Sequence, residues 1–169
     1  MKTQRTKDME RLSIALDLCM TLHSGQTDKC GQPYWIHPFT VAMRGFSGYG
    51  GDNEISYAIV GLLHDIPEDT GVSIERLAAF VKLTDAEIEA LHLLTRKDGV
   101  TYDDYIDHIV ESGNEIAMVV KLDDLLHNGN LNRFLDAGMP VTEKDESRAK
   151  KYRKAFDKIH KKLNEEKCI

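Results

Sequence analysis

The 169-residue sequence is poor in cysteine, in long apolar runs and in excess positive charge, and each shortage removes a class of protein. Cys19, Cys30 and Cys168 are odd in number and widely spaced, so they outline neither a disulfide framework nor a zinc finger, and a reducing cytoplasm is the simplest setting. No stretch approaches the roughly 18 apolar residues of a membrane span, and no charged N-terminal segment leads into an apolar run. A soluble, cytoplasmic protein that is not exported is therefore expected. The net charge of -6 and pI near 5.6 argue against duplex nucleic acid as a partner. A small anionic partner would need a local charge reversal, which a divalent cation supplies. The basic tail from Lys144 to Lys167 is laced with carboxylates and reads as a solvated helix face. Alternating strand patterns, internal repeats and low-complexity tracts are missing too.

What is present is helical periodicity. From Asp8 to about His23, Leu12, Ala15, Leu16, Cys19 and Leu22 fall on one stripe. Ser24 to Pro38 is polar and rich in turn formers, a loop, and a second helix is expected after Pro38, ending near the glycines at 45, 48, 50 and 51. Glu54 to Asp65 contains Ala58 to Leu63, apolar on every side and therefore a core helix. Ser73 caps a short helix, Thr84 with Glu87 has the capping-box form, and Thr101 with Asp104 is a weaker version. Asn114 to about Asn128 and about Thr142 to Asn164 complete the set, joined by an irregular Leu131 to Pro140 connection. The expectation is an all-α, compact single-domain bundle of about seven or eight helices over residues 1–169.

Chemistry concentrates in Leu62-Leu-His-Asp-Ile-Pro-Glu-Asp-Thr70. A histidine and three carboxylates crowd the end of an apolar helix, where like charges and the negative end of the helix dipole raise one another's cost unless a cation sits among them. His64 and Asp65 lie about 100° apart on a helix and can lean toward one ion, although a surface cap also explains an isolated pair. His37, between Trp35-Ile36 and Pro38, is either a hydrogen-bonded core histidine or a metal ligand. In Asn114 to Asn128 the wheel is apolar except for one sector, where Ala117, Lys121, Asp124 and Asn128 align. Buried charges need partners or a metal, so Asp124 is a ligand or the counterion of Lys121. Asp123 turns away toward His127, which reads as a structural or flanking residue.

The order His37, His64-Asp65, Asp124 resembles the four ligands of the HD-domain metal-dependent phosphohydrolase superfamily. The wider segments, His23 to Pro38, Leu62 to Thr70 and Lys121-Leu-Asp-Asp-Leu-Leu-His-Asn128, resemble the hydrolase domain of Rel/Spo-type alarmone enzymes and stand-alone small alarmone hydrolases, most strongly over residues 12–152. The resemblance implies a divalent ion, usually manganese, on His37, His64, Asp65 and Asp124. It implies that Glu68 and Asp69 position and deprotonate the attacking water, and that Lys29, Asn128 and Arg148 contact the substrate. Arg96 and Lys97 fall where the family sometimes places a further phosphate-binding lysine.

One departure bears on substrate. Where many alarmone hydrolases carry an arginine that stacks on guanine, this sequence has Asp28, which cannot make that contact and would repel phosphate. Cys30 replaces a common serine, and Leu131 a polar residue. The implied reaction is hydrolysis of ppGpp to GDP and pyrophosphate. The alternatives are an HD-type 5′-nucleotidase or phosphatase acting on another small phosphate ester, or a non-catalytic metal- or nucleotide-binding domain.

Overall fold

The computed structural model describes residues 3–49 and 51–166; Gly50, Lys167 and Cys168, which enter the reading above, lie outside the described residues. The first half of the bundle comprises α1 (Gln4–Leu22), α2 (Ile36–Gly48), α3 (Glu54–Leu63), α4 (Ile66–Thr70) and α5 (Ile74–Val81). The second comprises α6 (Asp85–Leu94), α7 (Tyr102–Ser112), α8 (Glu115–Asn128), α9 (Asn132–Asp136) and α10 (Glu143–Glu166). The described residues contain no strand beyond an isolated Thr27 to Pro33 bridge, so the all-α expectation holds. No helix among them is long and apolar enough to cross a membrane.

Helix α3 is the centre. Every residue from Tyr57 to Leu63 is buried, because α1, α2 and α8 pack around it. Contact with α2 is backbone to backbone: a Cβ on Gly61 would stand 2.9 Å from Ala42 Cα. Helix α1 contributes Ala15 and Cys19 as its buried line, with Leu12, Leu16 and Leu22 half-buried beside them. Helix α10 sets Ala155, Ile159 and Leu163 against the bundle and exposes most of its charged residues.

Local caps fix most of the boundaries. Ser73 Oγ accepts from Arg76 N, Thr101 Oγ1 from Asp104 N at 3.2 Å, and Asn114 Oδ1 from Ala117 N at 2.9 Å. The Thr84 and Glu87 capping box forms in both directions. Glu87 is also fully buried, pairing with Arg11 and accepting from Ser56 Oγ at 2.8 Å, so one carboxylate ties α1, α3 and α6 together.

Three boundaries differ from expectation. Helix α2 begins at Ile36, not after Pro38, because a proline in the first turn lacks only an N–H that would have no helical partner there. Helix α3 ends at Leu63, and the chain bends through His64 and Asp65 into the single-turn α4, with Pro67 near its start. The Leu131 to Pro140 connection contains the short α9, which carries Arg133.

Asp123 is buried between α8 and α2, and its Oδ2 has no hydrogen-bond partner. Burial pushes its carboxyl up to about 7, with only partial relief from Arg44. Between about pH 4 and 7 the folded chain thus keeps a proton that the unfolded chain has lost, so this residue lowers stability as pH rises through that window. Asp123→Asn is expected to raise stability by about 1–3 kcal/mol at pH 8 and to change little at pH 4. Urea unfolding midpoints at the two pH values check this, and equal gains at both would disprove it.

Candidate metal centre and adjoining pocket

Three helices deliver four side chains to one place. The first turn of α2 supplies His37, the bend after α3 supplies His64 and Asp65, and the polar sector of α8 supplies Asp124. His37 Nε2 lies 3.3 Å from Asp65 Oδ2 and 3.2 Å from Asp124 Oδ1. His64 Nε2 lies 3.2 Å from Asp65 Oδ1 and 3.9 Å from Asp124 Oδ1. One donor atom from each of His37, His64 and Asp65 falls within 4.8 Å of the others, a spacing that could hold a metal ion; Asp124 flanks this trio.

The far nitrogens of both imidazoles are already used. His64 Nδ1–H donates to Gly61 O at 2.7 Å, which leaves Nε2 buried, aimed into the cluster and without a hydrogen-bond partner. His37 Nδ1 lies 2.7 Å from His127 Nδ1. His127 is pushed down to about 3 by burial, then by His37 and Arg133, so it stays neutral and accepts. This network turns the Nε2 edge of each imidazole toward Asp65, the arrangement in which a second hydrogen bond orients a metal-binding imidazole.

The electrostatics keep both carboxylates ionised. Burial lowers His37, but hydrogen bonds to Asp124 and Asp65 outweigh it and raise the group to about 9. Asp65 is held well below its ordinary range by His64 and His37 despite burial. Asp124 is held low against burial by Lys121, whose Nζ donates to Oδ2 at 2.8 Å, and by His37. Asn128 Nδ2 donates to Asp124 Oδ1 at 2.5 Å, and Tyr34 OH to Asp65 Oδ2 at 2.8 Å. Asp124 is therefore the counterion of Lys121, one of the two alternatives left by the sequence, and it also faces the histidines. Two imidazole nitrogens and carboxylate oxygens fit a divalent ion and do not select which.

Glu68 and Asp69 diverge. Asp69 feels Asp65, Tyr34, His23 and His64, and burial followed by Asp65 raises its carboxyl above the usual range. Glu68 is exposed and its Oε1 accepts from Arg96 N at 2.7 Å; it borders a second cavity with Arg96 and Lys97.

Beside His37 opens a cavity of about 370 Å³ whose wall includes Lys29, Asn128 and Arg148, so all three expected substrate contacts share one pocket. A larger groove of about 960 Å³ runs along α6 and α7, and none of the four candidate ligands lines it. The smaller cavity is the one next to the cluster.

Asp28 requires a correction. Its Oδ1 accepts from Cys30 N at 2.8 Å and Gln32 N at 2.9 Å, closing the loop, and its Oδ2 pairs with Arg133. A carboxylate so bonded does not confront the pocket as a free negative charge. Sequence reasoning missed Arg133, which also donates to His127 Nδ1 at 3.2 Å, and gave no role to Tyr34. The loop turn at Asp28 was readable from its Asp-Lys-Cys-Gly run; its partner 105 residues away was not.

Two curated relatives are similar to this chain over nearly three quarters of its length. A probable guanosine-3′,5′-bis(diphosphate) 3′-pyrophosphohydrolase from Synechocystis sp. is 34% identical over 133 residues, covering 73% of this chain and 16% of the relative. A guanosine-3′,5′-bis(diphosphate) 3′-pyrophosphohydrolase from Borreliella burgdorferi is 34% identical over 138 residues, covering 72% of this chain and 19% of its own length. The chain belongs to the Rel/Spo-type HD-domain family. It spans less than a fifth of the length of these two relatives. This Rel/Spo-type domain also shares its fold with a solved structure described as a metazoan ortholog of SpoT that hydrolyses ppGpp. That match has a TM-score of 0.64 at 22% identity and covers 96% of this chain and 88% of the other. No family model matches the chain.

Proposed function

We propose that residues 1–169 act as a single HD-type unit that hydrolyses guanosine 3′,5′-bispyrophosphate to GDP and pyrophosphate in the cytoplasm. The observation that carries this reading is the convergence of His37 Nε2 and the unpartnered His64 Nε2 on Asp65, beside a cavity whose wall includes Lys29 and Arg148. His37, His64, Asp65 and Asp124 would hold the ion, taken to be manganese. A divalent ion bound there supplies Lewis-acid polarisation of a phosphoryl oxygen and lowers the pKa of water.

The chain's own residues do the rest. Lys29 and Arg148 neutralise the phosphates, and Asn128 sits between the cavity and Asp124. Water adds to the phosphorus attached to O3′, the P–O3′ bond breaks, and O3′ takes a proton as the 3′-hydroxyl of GDP. Asp69, more basic than an ordinary aspartate, accepts a proton from that water, and Glu68, fixed by Arg96 N, orients it. Asp28 lends no support to a phosphatase or nucleotidase, since Arg133 neutralises it.

The test is turnover of ppGpp by the manganese-supplemented protein, with pyrophosphate and orthophosphate detected separately. Metal-dependent pyrophosphate release is expected. Orthophosphate release would assign a phosphatase or nucleotidase instead, and silence from metal-loaded protein would sink this substrate.

A further inference from the structure

Three arginine and lysine side chains line the cavity beside His37, and they are not equivalent. Arg148 makes one ion pair, with Asp145, and its other guanidinium nitrogens remain for a phosphate. Arg133 is bound on both terminal nitrogens: Nη2 pairs with Asp28, and Nη1 donates to His127 Nδ1 at 3.2 Å and to His127 O at 3.3 Å.

That difference decides what each can bind. The donors of a guanidinium lie in its plane, and an anion must meet that edge. Arg133 has little edge left, so it is a poor phosphate anchor. Its side chain is nevertheless 23% exposed and lines the cavity. What a guanidinium offers once its edge is occupied is its flat face, which stacks on planar π systems.

The supports of this side chain are rigid. Asp28 is itself locked by Cys30 N and Gln32 N, and His127 is buried on α8 against His37. Orientation of the plane is thus fixed from two elements before any ligand arrives, which lowers the ordering cost of binding. The cavity, about 370 Å³, is within the range of small-molecule sites and opens beside the candidate metal ligands.

We propose that Arg133, clamped edge-on by Asp28 and His127, is the platform on which the planar base of the substrate stacks, and so a specificity-determining residue. This rests on the proposed nucleotide hydrolase reading. Asp28 and His127 are then positioning residues that act through Arg133.

The experiment compares two ligands by calorimetry on the full manganese-loaded chain: guanosine 3′,5′-bisphosphate and 1-deoxyribose 3,5-bisphosphate, the same sugar bisphosphate without its base. The unsubstituted protein is expected to bind the first about tenfold more tightly. Arg133→Lys and Arg133→Gln should bring that ratio to within twofold while changing affinity for the base-free compound less than about threefold. Arg148→Ala should weaken both ligands together and leave the ratio intact. Asp28→Asn should shrink the ratio, because the clamp loosens while the arginine remains. A ratio preserved in both Arg133 variants, or no base preference in the unsubstituted protein, overturns the proposal. Turnover of ppGpp on the same preparations separates the two claims. A base preference lost in the variants without any turnover sinks the reaction and keeps the platform; turnover with the preference intact in the variants sinks the platform alone.

Discussion

Asp124→Ala is expected to lose bound metal, turnover and stability together. The carboxylate faces His37 Nε2 at 3.2 Å on one oxygen and holds Lys121 Nζ at 2.8 Å on the other. Truncation would take a ligand from the cluster and leave a buried ammonium unpaired, a change that costs about 3–5 kcal/mol. His64→Ala removes a ligand whose only hydrogen bond is to Gly61 O, so it should lose metal and turnover with a smaller stability loss. Turnover should fall about a thousandfold or more in both, about 4 kcal/mol of transition-state stabilisation. Metal content of the purified variants and their unfolding midpoints separate the two effects. If Asp124→Ala keeps a full complement of manganese, Asp124 is only the counterion of Lys121. A second check is Lys121→Met with Asp124→Ala: it should recover much of the lost stability and none of the metal.

The different visibility of these features in the sequence follows from the range of the interactions behind them. The helices were legible because their signals are local: the Ser73, Thr84 and Thr101 caps each bond an amide three residues ahead. The polar sector of α8 was legible because helical period alone places Lys121, Asp124 and Asn128 in line, and both flanking residues do bond Asp124. Helix α4 was hidden because five residues are too few to show a period, and α9 for the same reason.

Contacts between distant segments were the illegible part. Asp28 read alone is a negative charge in a phosphate site; read beside Arg133 it is half of a neutral bracket. His127 read as a flanking residue, yet it meets His37 from the start of α2, 90 residues earlier. The resemblance named the candidate ligands but not their supports, since Tyr34 and Arg133 act through pairings that only the packing of α2, α8 and the two loops creates.

The acidic pair after the HD dipeptide gives the second large expected effect. Glu68→Gln and Asp69→Asn should both retain metal, since neither carboxylate is in the tight donor trio, and should lower turnover by about 10²–10⁴-fold if they take and orient the proton of the attacking water. Their pH dependences should differ. Asp69 is raised by burial and by Asp65, so the acid limb of kcat/KM in the unsubstituted protein should lie above the ordinary carboxylate range. Activity falls as pH drops through that raised value, because the protonated carboxyl cannot act as a base. Asp69→Asn should flatten this limb, whereas Glu68→Gln, which keeps an oxygen for Arg96 N, should lower the plateau and leave the limb where it was. Rate profiles for the three proteins with metal content held equal decide the assignment. A Glu68→Gln variant within threefold of the original rate would leave Asp69 as the sole base, and loss of metal from either variant would move that carboxylate into the coordination sphere.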